Sequence, residues 1–420
     1  MSKYIWIILA AGLILRLILS SFTFHPDIQV FDLAGQILKG GHLLNFYDYL
    51  YTLPLDDQII KNFPPFSLNY PPLTYILLGG SSLIFTAITP TQIHSDFLFN
   101  TRNILGNMFL FLHLLALKLP LLFFDLGCAV LLFKFFDDFK TKLLAFTIWM
   151  FNPLTLYATF MMGQYDIIPT FFTIASLYMV KGGKESGLRN IYLAAILLGI
   201  GAAFKIYPFL FLIPLASLTK SFYVRSKIIA LGLAPYLLTI FPFLPSFGFR
   251  SNALLANQLS KSFYPQIPVS GGESIILFLA ALTFFYLICL KISDQKNLWQ
   301  YYFVVILLFF IFTHAHPQWF LWLTPFLIIE VIVGRFRNIL ATTTAFFSWF
   351  MLLFFFDQSL TIGLFAPINP QVYQGKDLWQ LMGISLDINF FRSILHTLFV
   401  GAAFYFTYRY FPKKLSTVSS

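Results

Sequence analysis

The chain has 420 residues, of which 58% are hydrophobic and only 10% are charged. Water-soluble domains carry about 25% charged residues, so the composition excludes an ordinary soluble enzyme and indicates a protein solvated by lipid. The net charge is +10, and its basic residues follow the inner membrane face, so no nucleic-acid partner is expected.

Apolar runs near 5–22, 71–89, 103–117, 119–136, 142–160, 165–181, 189–204, 206–219, 227–245, 273–291, 299–313, 317–333, 338–356 and 390–410 read as fourteen spans. The third, eighth and eleventh are short for a full crossing, and only Pro120 separates the third from the fourth. The expected fold class is an all-α polytopic membrane protein of about 12–14 transmembrane helices, one integral-membrane domain over 1–420. Arg16 interrupts the first run and no small-residue cleavage site follows, so an uncleaved first span is expected rather than a signal peptide. Cys128 and Cys289 both fall within apolar runs and imply no disulfide framework.

Basic residues set the expected orientation. With the N-terminus inside, the inner segments collect 18 of the 27 Lys and Arg against 6 acids, while the rest of the chain is slightly acidic. Three long segments, 23–70, 246–272 and 357–389, then lie on the outer face, and with inner loops this short that face is where activity is expected.

The first outer segment opens with "FHPDIQVFDLAG", residues 24–35. Pro26 suits a first helical position, and Asp27 beside it faces the positive end of the helix dipole. Ile28, Phe31, Ala34 and Leu38 recur at helical spacing before Gly40 and Gly41, which predicts a short amphipathic helix lying in the membrane interface. Asp32 is five residues further on, about 140° around the helix, so the two carboxylates do not share a face. Read from the residues alone, Asp27 is either a first-turn acid or a functional one. "NFPPFSLNYPPLTYILL" (62–78) closes the segment, its prolines launching the next helix at Pro71 and Pro72 with Tyr70 at headgroup depth.

An outer-loop Asp followed by Asn69-Tyr70-Pro71-Pro72-Leu73-Thr74-Tyr75 resembles the GT-C glycosyltransferases, in particular the glucosyltransferases that extend lipid-linked oligosaccharide, whose signature reads Asp-Tyr-Pro-Pro-Leu-Thr-Ala-Tyr. Prokaryotic polyprenyl-phosphate mannosyltransferases share the layout. "NPLTLYATFMMGQYDIIP" (152–169), "AAFKIYPFLFLIP" (202–214) and "FTHAHPQWFLW" (312–322) are similar to further stretches of these enzymes, with His314 and His316 standing in a His-x-His-Glu-Lys pattern. The Glu-Lys pair is replaced by Pro317-Gln318, and the signature Asp by Asn69.

The resemblance implies a GT-C-like bundle with short interfacial helices in its first outer loop, and a base at Asp27, with Asp32 as second choice. It implies inverting transfer of a hexose, mannose before glucose, from a polyprenyl-phosphate donor to a lipid-linked or surface glycan acceptor. A multi-pass protein of this kind sits in the plasma membrane of a prokaryote, or in the endoplasmic reticulum of a eukaryote, with its site on the extracytoplasmic face. Lys205, His314, His316 and Arg16 are expected near the donor phosphate, and Gln164, Asp166, Tyr70 and Gln318 near sugar or acceptor. Each has a structural alternative: Lys205 as a snorkelling cation, Asp166 as a helix cap, Arg16 paired with Asp125 inside the bundle. The His-x-His pair lacks a Cys partner or second cluster, so no metal site is expected, although a divalent cofactor remains compatible. Competing functions are a transporter or flippase of lipid-linked sugars and a glycan polymerase or ligase. The absence of internal symmetry argues against the former, and the scarcity of outer arginines against the latter. No phosphate-binding α/β turn is present, which argues against a direct nucleotide-sugar donor.

Overall fold

The computed structural model describes residues 2–181, 187–255, 261–291, 298–313, 316–383 and 387–412. It is mostly helical, and among the described residues five helical stretches are long and apolar enough to cross a membrane: Lys3–Phe22, Met108–Phe135, Phe139–Met161, Phe222–Phe243 and Ile388–Tyr410. Eight shorter apolar helices pack among them. The helix Leu298–Phe312 is the centre of the bundle, with 13 of its 15 residues buried. A helix that is apolar all round has no face for water, and burial on every side follows.

The first helix, α1 (Ser2–Phe22), leads into a 3₁₀ turn at Pro26–Ile28 and then α2 (Gln29–Lys39), as the apolar spacing predicts. Gly40 caps α2, and Gly41 follows in the left-handed region at φ +84°. Two short helices, α3 (Phe46–Thr52) and α4 (Gln58–Asn62), complete the segment before α5 (Pro72–Phe85) starts on Pro72.

Here the structure corrects the span map. α5 lies against α2, with Gly79 and Gly35 at the crossing, where a Cβ at either would come within 2.9 Å of the other helix's backbone. α6 (Thr91–Phe99) packs on α2, α4 and α8 (Met108–Phe135), and α7 (Thr101–Ile104) joins α6 to α8. The Gly106 amide donates to the Pro367 carbonyl at 3.0 Å, and Arg102 sits 6.0 Å from the Tyr373 ring. Residues 71–104 therefore gather at the Asp27 end of the bundle instead of forming a span of their own. α8 is one continuous 28-residue helix through Pro120, so 103–117 is not separate from 119–136. Proline in an apolar helix removes one hydrogen bond without ending it when neighbouring helices hold the rod. Asp96 and Arg102 move to the Asp27 end together, and the charge asymmetry between the two ends is unchanged.

Two buried cations brace α1 against α8. Arg16 is fully buried; its Nε donates to Asp125 Oδ2 at 2.6 Å and its remaining donors reach Asp125 Oδ1, Gly12 O and Met150 O. The Trp149 indole adds a hydrogen bond to Asp125 Oδ1 at 3.1 Å. Lys118, 1% exposed, donates to the carbonyls of Ser20, Thr23, Phe160 and Met161 at 3.2, 2.7, 2.9 and 3.2 Å. These are carbonyls at the end of α1 and of a π-helical turn, groups a helix terminus leaves unpaired.

A departure from the all-α expectation is a hairpin in the second long segment, β1 (Gln266–Ser270) paired antiparallel with β2 (Glu273–Ile276). Gly271 and Gly272 both have positive φ, as a two-residue hairpin turn requires.

Candidate active site

Four loops meet at the Asp27 end. The turn Pro26–Ile28 presents Asp27, whose side chain is 48% exposed. The Asp27 amide donates to His25 Nδ1 at 3.3 Å, so that nitrogen carries a lone pair and does not donate to the carboxylate 3.6 Å away. What fixes the carboxylate is Gln164, whose Nε2 donates to Asp27 Oδ2 at 2.7 Å.

Gln164 is aimed by its own local sequence. After α9 (Phe139–Met150), Asn152 caps a new helical turn, α10 (Pro153–Thr155), by accepting from the amides of Leu154 and Thr155. The backbone then widens into a π-helical turn at Leu156–Met161, a feature common at functional sites. Gly163 ends it at φ +74°, with Ile28 so near that a Cβ would sit 2.8 Å from its Cδ1. Gln164, Tyr165 and Asp166 are thereby turned into the site ahead of α11 (Ile167–Val180).

Asp166 is fully buried and does not cap α11 with its side chain. Its Oδ1 accepts from Lys205 Nζ at 2.7 Å and from the Trp322 indole at 2.6 Å. Its Oδ2 has no hydrogen-bond partner among the described residues. Lys205 follows α12 (Leu188–Ala202), and its ammonium lies 5.2–5.9 Å from the ring centres of Tyr70, Tyr165, Trp319 and Trp322. It is a paired cation in an aromatic cage, not a snorkelling one.

Tyr70 closes the gap between the two carboxylates. The Tyr75 hydroxyl accepts from the amides of Asn69 and Tyr70 at 2.9 and 3.3 Å, and the Tyr47 hydroxyl donates to Tyr70 O at 2.6 Å. Burial, together with the negative charge of Asp27 and Asp166, raises the Tyr70 phenol well above its usual range, so it stays a proton donor. Asn69 Oδ1 and Gln318 Oε1 are also buried without partners among the described residues.

Behind Lys205 lies a cavity of about 460 Å³. Asn69, Tyr70, Lys205 and Ser262 give it a polar end, and Leu210, Phe278, Leu279 and Leu282 are among its apolar walls. Lys261, beside it, lies 2.8 Å from His316 Nε2.

The structure thus brings together Asp27, Gln164, Asp166, Tyr70 and Lys205, with His316 nearby; Gln318 is buried but makes no contact with them that the structure records, and His314 lies outside the described residues. Arg16 does not join them: it is wholly buried and its donors are committed to Asp125 and two carbonyls, so the phosphate contact expected of it does not fit. Asp32 does not share Asp27's partners. It is fully buried beneath Ser82, whose hydroxyl donates to its Oδ1 at 2.6 Å, and between His94 and His113 at 3.3 and 3.4 Å. Burial alone would raise its carboxyl, but the hydrogen bonds and charges of the two imidazoles outweigh that and hold it well below the usual range. A group so enclosed is unsuited to take a proton from an incoming hydroxyl. Trp322, Lys261 and His25 were not expected; only the aromatic run "PQWFLW" hinted at the first.

No family model, curated protein or solved structure matches this chain.

Proposed function

We propose that the protein is a multi-pass membrane glycosyltransferase that transfers a hexose, mannose before glucose, from a polyprenyl-phosphate donor to a lipid-linked or surface glycan acceptor at the outer face. The observation that carries this reading is the pairing of a half-exposed, hydrogen-bonded carboxylate at Asp27 with an apolar-walled cavity ending at Lys205. An amphiphile with a long apolar tail and an anionic head matches a cavity of that polarity.

In the reaction, the acceptor hydroxyl oxygen bonds to the anomeric carbon while its proton passes to Asp27. The bond from that carbon to the phosphate oxygen breaks, and its electron pair leaves with the lipid phosphate. The ammonium of Lys205 and the Tyr70 hydroxyl supply positive charge and a donor for the charge that develops there. Gln164 keeps Asp27 aimed, and the buried Asp166 holds the Lys205 ammonium in place. One base and a good leaving group suffice for inversion, with no covalent carboxylate intermediate.

The test is purified full-length protein in lipid vesicles, supplied with polyprenyl-phosphate mannose or glucose and a glycan acceptor. Asp27→Asn is expected to lower transfer about 10²- to 10⁴-fold, the usual worth of a general base. Undiminished transfer in that variant removes Asp27 as the base. No transfer with any such donor, together with measurable flux of lipid-linked sugar, would establish the flippase instead.

A further inference from the structure

Asp32, His94 and His113 come from α2, α6 and α8, three helices that are distant in sequence and meet at the Asp27 end. One ligand-type atom from each lies within 4.8 Å of the other two. Asp32 and His113 are fully buried, and the His94 side chain is 15% exposed.

The hydrogen bonds around this cluster place an N–H on the outer nitrogen of each ring. The Thr89 hydroxyl donates to Thr86 O at 2.7 Å, so its oxygen can only accept from the imidazoles beside it. It lies 3.1 Å from His113 Nδ1 and 3.2 Å from His94 Nε2, and His94 Nε2 is also 3.3 Å from Thr86 O. Both nitrogens are therefore N–H donors. The other two ring nitrogens face Asp32, His94 Nδ1 at 3.3 Å from both carboxylate oxygens and His113 Nε2 at 3.4 Å from Oδ2, so each either carries a second proton for the carboxylate or offers a lone pair to a cation. His113 Nε2 is buried and makes no hydrogen bond of acceptable geometry, although Asp32 Oδ2 is 3.4 Å away. The Asp32 carboxylate already accepts from Ser82 and is itself anionic. Two imidazole nitrogens and a carboxylate directed at one buried point need either protons or a cation between them.

We propose that Asp32, His94 and His113 bind a divalent transition-metal ion, with Zn²⁺ the best chemical match. Two neutral imidazole nitrogens and one carboxylate oxygen are a zinc-type donor set, and three protein ligands leave a position that the exposed edge of His94 opens to solvent. Thr89 and the Thr86 carbonyl are the outer partners that fix ring orientation in such sites. The ion ties α2, whose preceding turn carries Asp27, to α6 and α8. It holds the site in place without touching the sugar or the phosphate.

The alternative occupant is a pair of protons, one on each imidazole. Full-length protein in detergent, stripped with a chelator and confirmed folded by cooperative unfolding, decides between them. As isolated, one zinc per chain is expected by elemental analysis, and the stripped protein should take up Co²⁺ with visible d–d absorption. His94→Ala, at the partly exposed ligand, should lose that binding, and Thr89→Val should weaken it about 10- to 100-fold. Stripped, folded wild type that takes up neither Co²⁺ nor Zn²⁺ overturns the proposal, as does tight binding retained in His94→Ala. Metal content is read without sugar transfer, so the outcome is independent of the proposed enzymatic activity.

Discussion

Replacing Asp125 by Asn tests how the bundle tolerates its deepest ion pair. Arg16 and Asp125 are both at 0% exposure, joined at 2.6 and 3.3 Å, and two carbonyls at 3.1 and 2.7 Å take the remaining hydrogen bonds of the guanidinium. In Asp125→Asn the guanidinium keeps both carbonyls but faces a neutral amide, and the Trp149 indole loses a charged acceptor. Removing one partner of a buried pair costs about 3–5 kcal/mol, because the other charge is left uncompensated. Replacing both by apolar groups of similar size, Arg16→Met with Asp125→Leu, removes the two desolvation penalties together and should recover most of that loss. Unfolding of the detergent-solubilised protein by a denaturing surfactant, followed through helical circular dichroism, measures all the variants on one scale. A single-variant cost below about 1 kcal/mol, or a double variant worse than the sum of the two single variants, would refute the reasoning.

Other outcomes follow from the same packing. Gly79→Ala places a Cβ 2.9 Å from the backbone of Ala34 and Gly35, so α2 and α5 must separate, at a cost of about 1–3 kcal/mol by the same unfolding assay. Gln164→Leu keeps the volume and removes the hydrogen bond to Asp27; kcat should fall, by less than in Asp27→Asn, with KM for the donor little changed. Leu210→Trp fills the apolar part of the cavity and should weaken binding of a polyprenyl phosphate at least tenfold, as read by displacement of a fluorescent lipid analogue. Lys205→Met leaves Asp166 buried without its cation, and transfer should fall more steeply than in Lys205→Arg.

Much of the architecture was readable from pattern. The helix over 26–39, its stop at Gly40 and the start of α5 on Pro72 follow from proline and glycine placement and the apolar period, which are local effects. The divergence of Asp27 and Asp32 follows from helix geometry alone. The status of 71–89 was not readable, because hydropathy reports how apolar a segment is and not what covers it. α5 is as apolar as a span, yet it is covered by α2 through a glycine crossing that no single-segment property records. The same blindness hid His94 and His113: they are separated by 19 residues, lie on different helices, and meet Asp32 only through the folding of 71–104 against the Asp27 end. Gln164 and Asp166 were reached through the resemblance of 152–169 to a glycosyltransferase stretch and through their place between two apolar runs. The Trp322 hydrogen bond to Asp166 spans 156 positions and had no local signal.

Lys118 behaves less like a surface cation than like a potassium ion tethered by a side chain. Its ammonium fills a ring of carbonyl oxygens contributed by two separate helix ends, with no carboxylate among the described residues to answer its charge. Such a plug cannot swing out to headgroups or carry protons across the bundle, because leaving would strand four acceptors at once. It welds the end of the first helix to the turn that precedes Gln164, so any tilt of that helix is transmitted directly to the residue that hydrogen-bonds Asp27.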